Sequence, residues 1–308
     1  MLDIFLNVVL PIFCAVLIGY IVGKIKYFDD ADARVINKTV FYVLLPPLLF
    51  ILVAEAPFEQ FDYFYVLGYL GAELFVYAAT FCLARLVFKR SFTESLLLGM
   101  ATAFCNHTFV ILPIAELLHG ADSTLPVISV IVVDNIILLG GTILVLEMTS
   151  KKQEGNPLVN LAKNFVKNPN IMALVLGTLV NFAGFSLDNG FGVYSRFLGN
   201  ASAPCSLFAL GIVLSQQQLG GERKIMMAIT FMKLVFIPVV AWLLFVPVFS
   251  LSDFWVPQGV LVAAGPCGVL TFVLGIQYRA RVDLLSEVIL VTTFLSAFTI
   301  TIVAALPL

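Results

Sequence analysis

Asn106-His107-Thr108 places three consecutive hydrogen-bonding side chains inside an apolar stretch, with Pro113 seven residues beyond the asparagine. A second apolar stretch is interrupted in a similar way at Gly265-Pro266-Cys267-Gly268. Thr-Phe-Val occurs in both, at 108–110 and 271–273. A helix broken in hydrocarbon frees backbone N–H and C=O groups, and these persist only inside protein or against a wet cavity. The half-helix after such a break presents bare N–H groups and the positive end of its dipole, a seat for a carboxylate. Paired breaks in two halves of a chain are a sequence pointer to the midplane site of a secondary transporter. The expected binding residues are therefore Asn106, His107, Thr108, Pro266, Cys267 and Gly268, with a small organic anion as ligand.

Few charges fall inside apolar stretches. Glu73, Asp134 with its neighbour Asn135, and Lys233 are the intramembrane polar candidates. A carboxylate at the centre of a span costs about 2.5–3.5 kcal/mol on insertion scales. Glu73 and Asp134 are thus candidates either for carrying a coupling proton or cation, or for pairing within the bundle. Lys233 is expected to snorkel to the cytoplasmic face or to help hold an anion. Glu116 and Glu147 are expected to be solvated near the two surfaces.

These residues must be positioned by membrane helices. Hydrophobic residues make up 61% of the 308 and charged residues 12%. A soluble domain carries roughly twice that charge. Many runs reach the roughly 18–20 apolar residues that a span requires. The net charge of −2 gives no reason to expect a nucleic-acid partner. Five scattered cysteines with no CxxC, and two histidines, point to neither a disulfide framework nor a metal site; no cofactor is expected. The N-terminal run lacks the basic lead and cleavage site of a signal peptide.

Ten spans are expected, at about 4–23, 34–53, 63–84, a fourth after the capping pattern Ser91-x-x-Glu94, then about 124–147, 168–185, 197–215, 225–249, 254–275 and 284–306. Gly19-x-x-x-Gly23 in the first is either a close-packing pattern or ordinary membrane-helix glycine. Further breaks or kinks are expected at Pro46-Pro47 in the second span, at Pro113, and at Pro204 in the seventh. The polar segment 149–167 is a cytoplasmic linker between two five-span halves, 1–148 and 168–308. Fifteen of the seventeen Lys and Arg fall in alternate loops. The positive-inside rule puts those loops in the cytoplasm and both termini outside. Five spans per half make the second half inverted relative to the first; Asp122 and Asp283, each just before the last span of its half, fit that repeat. Asp29-Asp30-Ala31-Asp32 is too short and unpaired to hold the magnesium of a membrane prenyltransferase, and reads as a solvated loop. No enzyme is expected. A receptor would not need paired helix breaks.

Several stretches together resemble the auxin efflux carrier family, which includes plant PIN proteins and bacterial organic-acid permeases. They are Leu45-Pro46-Pro47-Leu48-Leu49-Phe50, Asn106 to Pro113, Asn168-Pro169-Asn170, Leu207-Phe208-Ala209-Leu210-Gly211, Lys233 with Pro238, and Ala264 to Tyr278 followed by Asp283-Leu284-Leu285-Ser286. The resemblance implies inverted five-helix repeats with the fourth and ninth helices broken and crossing at Asn106 and Pro266. It also implies a scaffold of spans 1, 2, 6 and 7, often dimeric, and a moving transport domain of spans 3–5 and 8–10 that exchanges like an elevator. Cys105 stands where plant members have a proline, Tyr77 stands where they have a lysine, and the long central loop is absent. These departures favour a prokaryotic carrier, in a bacterial inner membrane, for an acid other than auxin. The alternatives are a proton- or sodium-coupled symporter or a membrane receptor.

Overall fold

The computed structural model describes residues 1–120, 124–149, 165–216 and 222–307. Most of the expected linker, 150–164, and Asp122 lie outside the described residues. The helices are α1 (Leu2–Lys24), α2 (Asp30–Ala54), α3 (Tyr63–Val87), α4 (Phe92–Ala103), α5 (His107–His119), α6 (Leu125–Thr149), α7 (Pro169–Phe182), α8 (Gly190–Ser215), α9 (Arg223–Val248), α10 (Val256–Ala263), α11 (Leu270–Gln277) and α12 (Asp283–Ala304). Seven of them, α1, α2, α3, α6, α8, α9 and α12, are long and apolar enough to cross a membrane. The expected fourth span is two short helices, α4 and α5, and the ninth is α10 and α11. The sixth, α7, has 14 residues.

Helix starts follow local chemistry. Ser91 and Glu94 form the expected capping box on α4. Asn168 accepts from the Asn170 N–H ahead of α7, whose first residue is Pro169; proline is tolerated there because its N–H would be unpaired anyway. Asp29 and Asp32 form a second capping box, so the acidic run is the start of α2 rather than a loop.

Proline positions give three corrections. α2 runs unbroken through Pro46 and Pro47. The turn before them widens, with the Leu45 N–H bonding five residues back to Val40. A widened turn absorbs both the missing donors and the ring clash, so the helix need not end. α5 likewise runs through Pro113 after a widened turn in which Leu112 bonds to His107; the actual break lies earlier, at 104–106. α8 begins at Gly190, capped by Asn189, and passes through Pro204 with only a turn at Ala201.

The chain divides into two compact units, neither of which is a sequence half. One comprises Met1–Pro11, Asp62–Thr142 and Gln217–Leu308; the other comprises Ile12–Phe61 and Ile143–Gln216.

In the second unit, α7 packs along α2 and the Asn181 side chain donates to the carbonyls of Val53, Ala54 and Ala56 at the end of α2. The glycines of α1 and α8 face one another. A Cβ on Gly19 would collide with the Phe208 carbonyl, and one on Gly211 with the Val16 carbonyl. The close-packing reading of Gly19 is therefore the one the fold uses. Gly211→Val is expected to cost about 1–3 kcal/mol through overpacking, read as a lowered unfolding midpoint in detergent. An unchanged midpoint would mean the backbones need not approach.

In the first unit, α3 packs against α4 with Gly99 under Tyr77. Thr102 of α4 donates to Thr80 of α3 at 3.0 Å. At one end, Tyr65, Tyr69, Phe245 and Trp255 form a buried aromatic cluster, closest between Tyr65 and Trp255 at 4.7 Å. This unit contains both broken helices.

Candidate functional site

α4 stops at Ala103 because Phe104 turns to extended backbone. α10 stops at Ala263. The two interruptions then pair with each other. The Asn106 N–H donates to the Pro266 carbonyl at 3.0 Å, and the Gly268 N–H donates to the Phe104 carbonyl at 2.9 Å. Cys105 and Cys267 stand opposite one another in an antiparallel bridge, the one β-type pairing among the described residues. The bridge satisfies backbone groups that neither helix can, which is what hydrocarbon demands of an interrupted span. It also explains how the chain crosses at Cys105 without proline. The opposing strand supplies glycine: a Cβ on Gly268 would strike the Phe104 ring, and one on Gly265 would strike the Cys105 Sγ and Ile111.

α12 completes the junction. Thr292 Oγ1 accepts from the Cys267 N–H at 3.3 Å, and Thr299 Oγ1 donates to the Ala264 carbonyl at 3.2 Å. Thr271 donates to the Gly268 carbonyl at 2.8 Å. Beyond the crossing, α5 starts at His107 and α11 at Leu270, each presenting its N-terminal end.

Asn106, His107 and Thr108 are all buried. His107 bridges two partners: Nε2 lies 3.1 Å from Asp134 Oδ2, and Nδ1 lies 3.2 Å from Thr108 Oγ1. Each ring nitrogen can donate or accept according to the tautomer, so His107 can link the Thr108 hydroxyl to the Asp134 carboxyl. Lys233 is fully buried and donates to the Ala103 carbonyl at 3.3 Å. This corrects the expectation that it snorkels to the surface. Its cation instead caps the negative C-terminal end of α4, a favourable place for it. Glu73 is fully buried and faces Asp134, Lys233 and Cys105. Neither of its oxygens makes a hydrogen bond of ordinary geometry, and Asp134 Oδ1 makes none either. His107, Asp134 and Lys233 each lie in a widened turn with five-residue hydrogen bonding, a local distortion frequent at functional sites.

The sequence profile described as membrane transport protein matches residues 4–304. The chain belongs to the membrane transport protein family, that of the auxin efflux carriers. It is 26% identical over 298 residues to a protein of Rhizobium meliloti (strain 1021) named "Putative malonate transporter", covering 96% of this chain and 93% of the relative. It is 26% identical over 294 residues to an "Uncharacterized transporter" of Methanothermobacter thermautotrophicus, covering 94% of this chain and 93% of the relative. An Escherichia coli (strain K12) relative, "Uncharacterized transporter YfdV", is 24% identical over 243 residues, 77% of each chain. With seven apolar helices of spanning length, this family member is an integral membrane transporter.

In this transporter the crossing gathers Asn106, His107, Thr108, Pro266, Cys267 and Gly268, with Glu73, Asp134 and Lys233 around it. Asn135 is not gathered: its side chain donates back to Ile131 of its own helix at 2.7 Å. Pro46, Pro47 and Pro204 belong to the other compact unit. Glu116 is exposed as expected, whereas Glu147, expected to be solvated, is buried. Thr292 and Thr299 carry crossing hydrogen bonds that sequence reading missed. Their signal was present: Thr292, Ser296 and Thr299 recur at helical spacing in an otherwise apolar span, a polar stripe on one face. Thr299→Val is expected to lower the unfolding midpoint by an amount equivalent to about 1 kcal/mol, the worth of one hydrogen bond; a neutral result would mean the Ala264 carbonyl has another donor.

Proposed function

We propose that this protein moves a small organic carboxylate across a bacterial cytoplasmic membrane, binding it at the crossing of the two interrupted helices. The observation that carries the reading is the Cys105–Cys267 bridge. It holds the starts of α5 and α11 at one junction, where helix N-termini favour an anion. The buried Lys233 adds a cation nearby, and Asn106 to Thr108 add side-chain hydrogen bonds. The name of the Rhizobium relative, with malonate as a small dicarboxylate, agrees with this class of substrate.

The remaining architecture is proposed on the same footing. The chain is two inverted five-helix repeats, ten membrane passages in all, with both termini outside. The compact unit holding the crossing is the mobile transport domain of an elevator, and the other unit is the scaffold and homodimer face. Direction follows from charge: one charge moved through 100 mV is worth about 2.3 kcal/mol, so anion export from a negative interior is downhill, while uptake needs a coupled cation.

Reconstituted vesicles offered a panel of mono- and dicarboxylates, with and without ion gradients, test this. At least one carboxylate is expected to exchange, and Asn106→Ala to slow it by about tenfold, the equivalent of one hydrogen bond of ~1.4 kcal/mol. If no acid of the panel moves or competes, the reading fails.

A further inference from the structure

Four titratable side chains from four helices meet in the interior of the first unit: Glu73 of α3, His107 of α5, Asp134 of α6 and Lys233 of α9. Each is almost or completely buried. Their partners are unequal. Asp134 engages His107 through Oδ2, and its carboxyl also meets that of Glu73. Lys233 spends a hydrogen on the Ala103 carbonyl. Glu73 faces Asp134, Lys233 and the Cys105 thiol, with Tyr65 and Tyr69 of its own helix close by, and makes no regular hydrogen bond through either oxygen. Two carboxyls beside one another, with both basic groups already engaged, leave no cation to spare for an arriving anion.

A carboxylate seated at the start of α5 would bring a negative charge beside that pair. Away from bulk water two like charges at close range repel far more strongly than they do in solution, which offsets the gain from the hydrogen bonds the site offers. The incoming anion also competes with Glu73 and Asp134 for His107 and Lys233. A proton placed on either acid removes the repulsion and releases the base to the substrate. We propose that the Glu73–Asp134 pair is a proton-coupling site: one proton enters from the same side as the anion, rests on a Glu73 or Asp134 oxygen while the anion is bound, and leaves with it on the other side. Intramembrane carboxylates that face a bundle interior serve as proton relays in other transporters. This inference rests on the carboxylate reading above and adds the coupling ion to it.

Proteoliposomes with the membrane potential clamped at zero provide the test, with malonate as probe and protein-free vesicles as the blank. An imposed pH step of about one unit, alkaline inside, is expected to drive accumulation towards about tenfold, because one pH unit is worth 1.36 kcal/mol per proton. Malonate addition without the step is expected to alkalinise the medium. Glu73→Gln is expected to abolish accumulation and alkalinisation while exchange of labelled for unlabelled malonate continues. Asp134→Asn serves as a second variant should Glu73→Gln fail to reach the membrane. Wild-type exchange without proton movement, or pH-driven accumulation that survives in both variants, overturns the proposal while leaving the carboxylate reading intact. Absence of any exchange overturns both.

Discussion

Gly268→Val is expected to abolish carboxylate exchange, lowering it by about a hundredfold or more, while the protein still reaches the membrane. Gly268 sits on the strand that pairs with Phe104 and donates its N–H to the Phe104 carbonyl at 2.9 Å. A Cβ there collides with the Phe104 ring. Phe104, Cys105 and Cys267 are all buried, so the ring has no open solvent to swing into. The strands must separate instead, and with them the starts of α5 and α11 move. Misplacing binding groups by about 1 Å can cost around a hundredfold in rate. Gly141→Val is the control, since nothing lies within 4 Å of a Cβ at that position. The double variant Phe104→Ala with Gly268→Val removes the obstructing ring and is expected to recover part of the activity. Wild-type exchange by Gly268→Val would show that the crossing is not where the substrate binds.

How much of this was readable from residues alone depended on whether the determinant was local. The Asn106–Thr108 and Gly265–Gly268 stretches were visible because polar and helix-breaking residues stand out against hydrocarbon; the second is a break, and the first borders one that lies at 104–106. The prolines misled for a related reason. Pro46, Pro47, Pro113 and Pro204 remove donors wherever they stand, but a widened turn can repair the loss within the same helix, as at Val40–Leu44 and His107–Ile111. Proline content therefore could not say which helix ends. The break at Cys105 depends instead on a partner strand about 160 residues away, whose glycines admit the Phe104 ring and the Cys105 sulfur. Lys233 was misjudged because a long side chain can reach water from many depths; only the fold reveals that its reach ends at the Ala103 carbonyl. The contact of His107 with Asp134 is likewise non-local, joining α5 to α6.

Lys233→Met is expected to be the most damaging single substitution of a charge, and its partner dependence is more informative than its size. Removing the lysine leaves the α4 C-terminal carbonyl without its donor and leaves Glu73 and Asp134 facing one another with less positive charge nearby. Breaking a buried charge arrangement by deleting one side typically costs about 3–5 kcal/mol, because the remaining charge is uncompensated. The expected readouts are a lower unfolding midpoint in detergent and exchange reduced by about a hundredfold or more. Replacing both sides is a different experiment. In Lys233→Met with Glu73→Gln, no uncompensated charge remains at that pair, and similar replacements elsewhere are often neutral in stability. The double variant is therefore expected to regain much of the unfolding midpoint, giving a non-additive cycle. It is not expected to regain pH-driven accumulation, because the acid proposed to carry the proton is gone. A strictly additive loss of stability would mean that Lys233 serves α4 alone and that Glu73 is balanced by some other group. Recovery of both stability and proton-driven accumulation would remove Glu73 from the coupling step and leave Asp134 as the remaining acid of the pair.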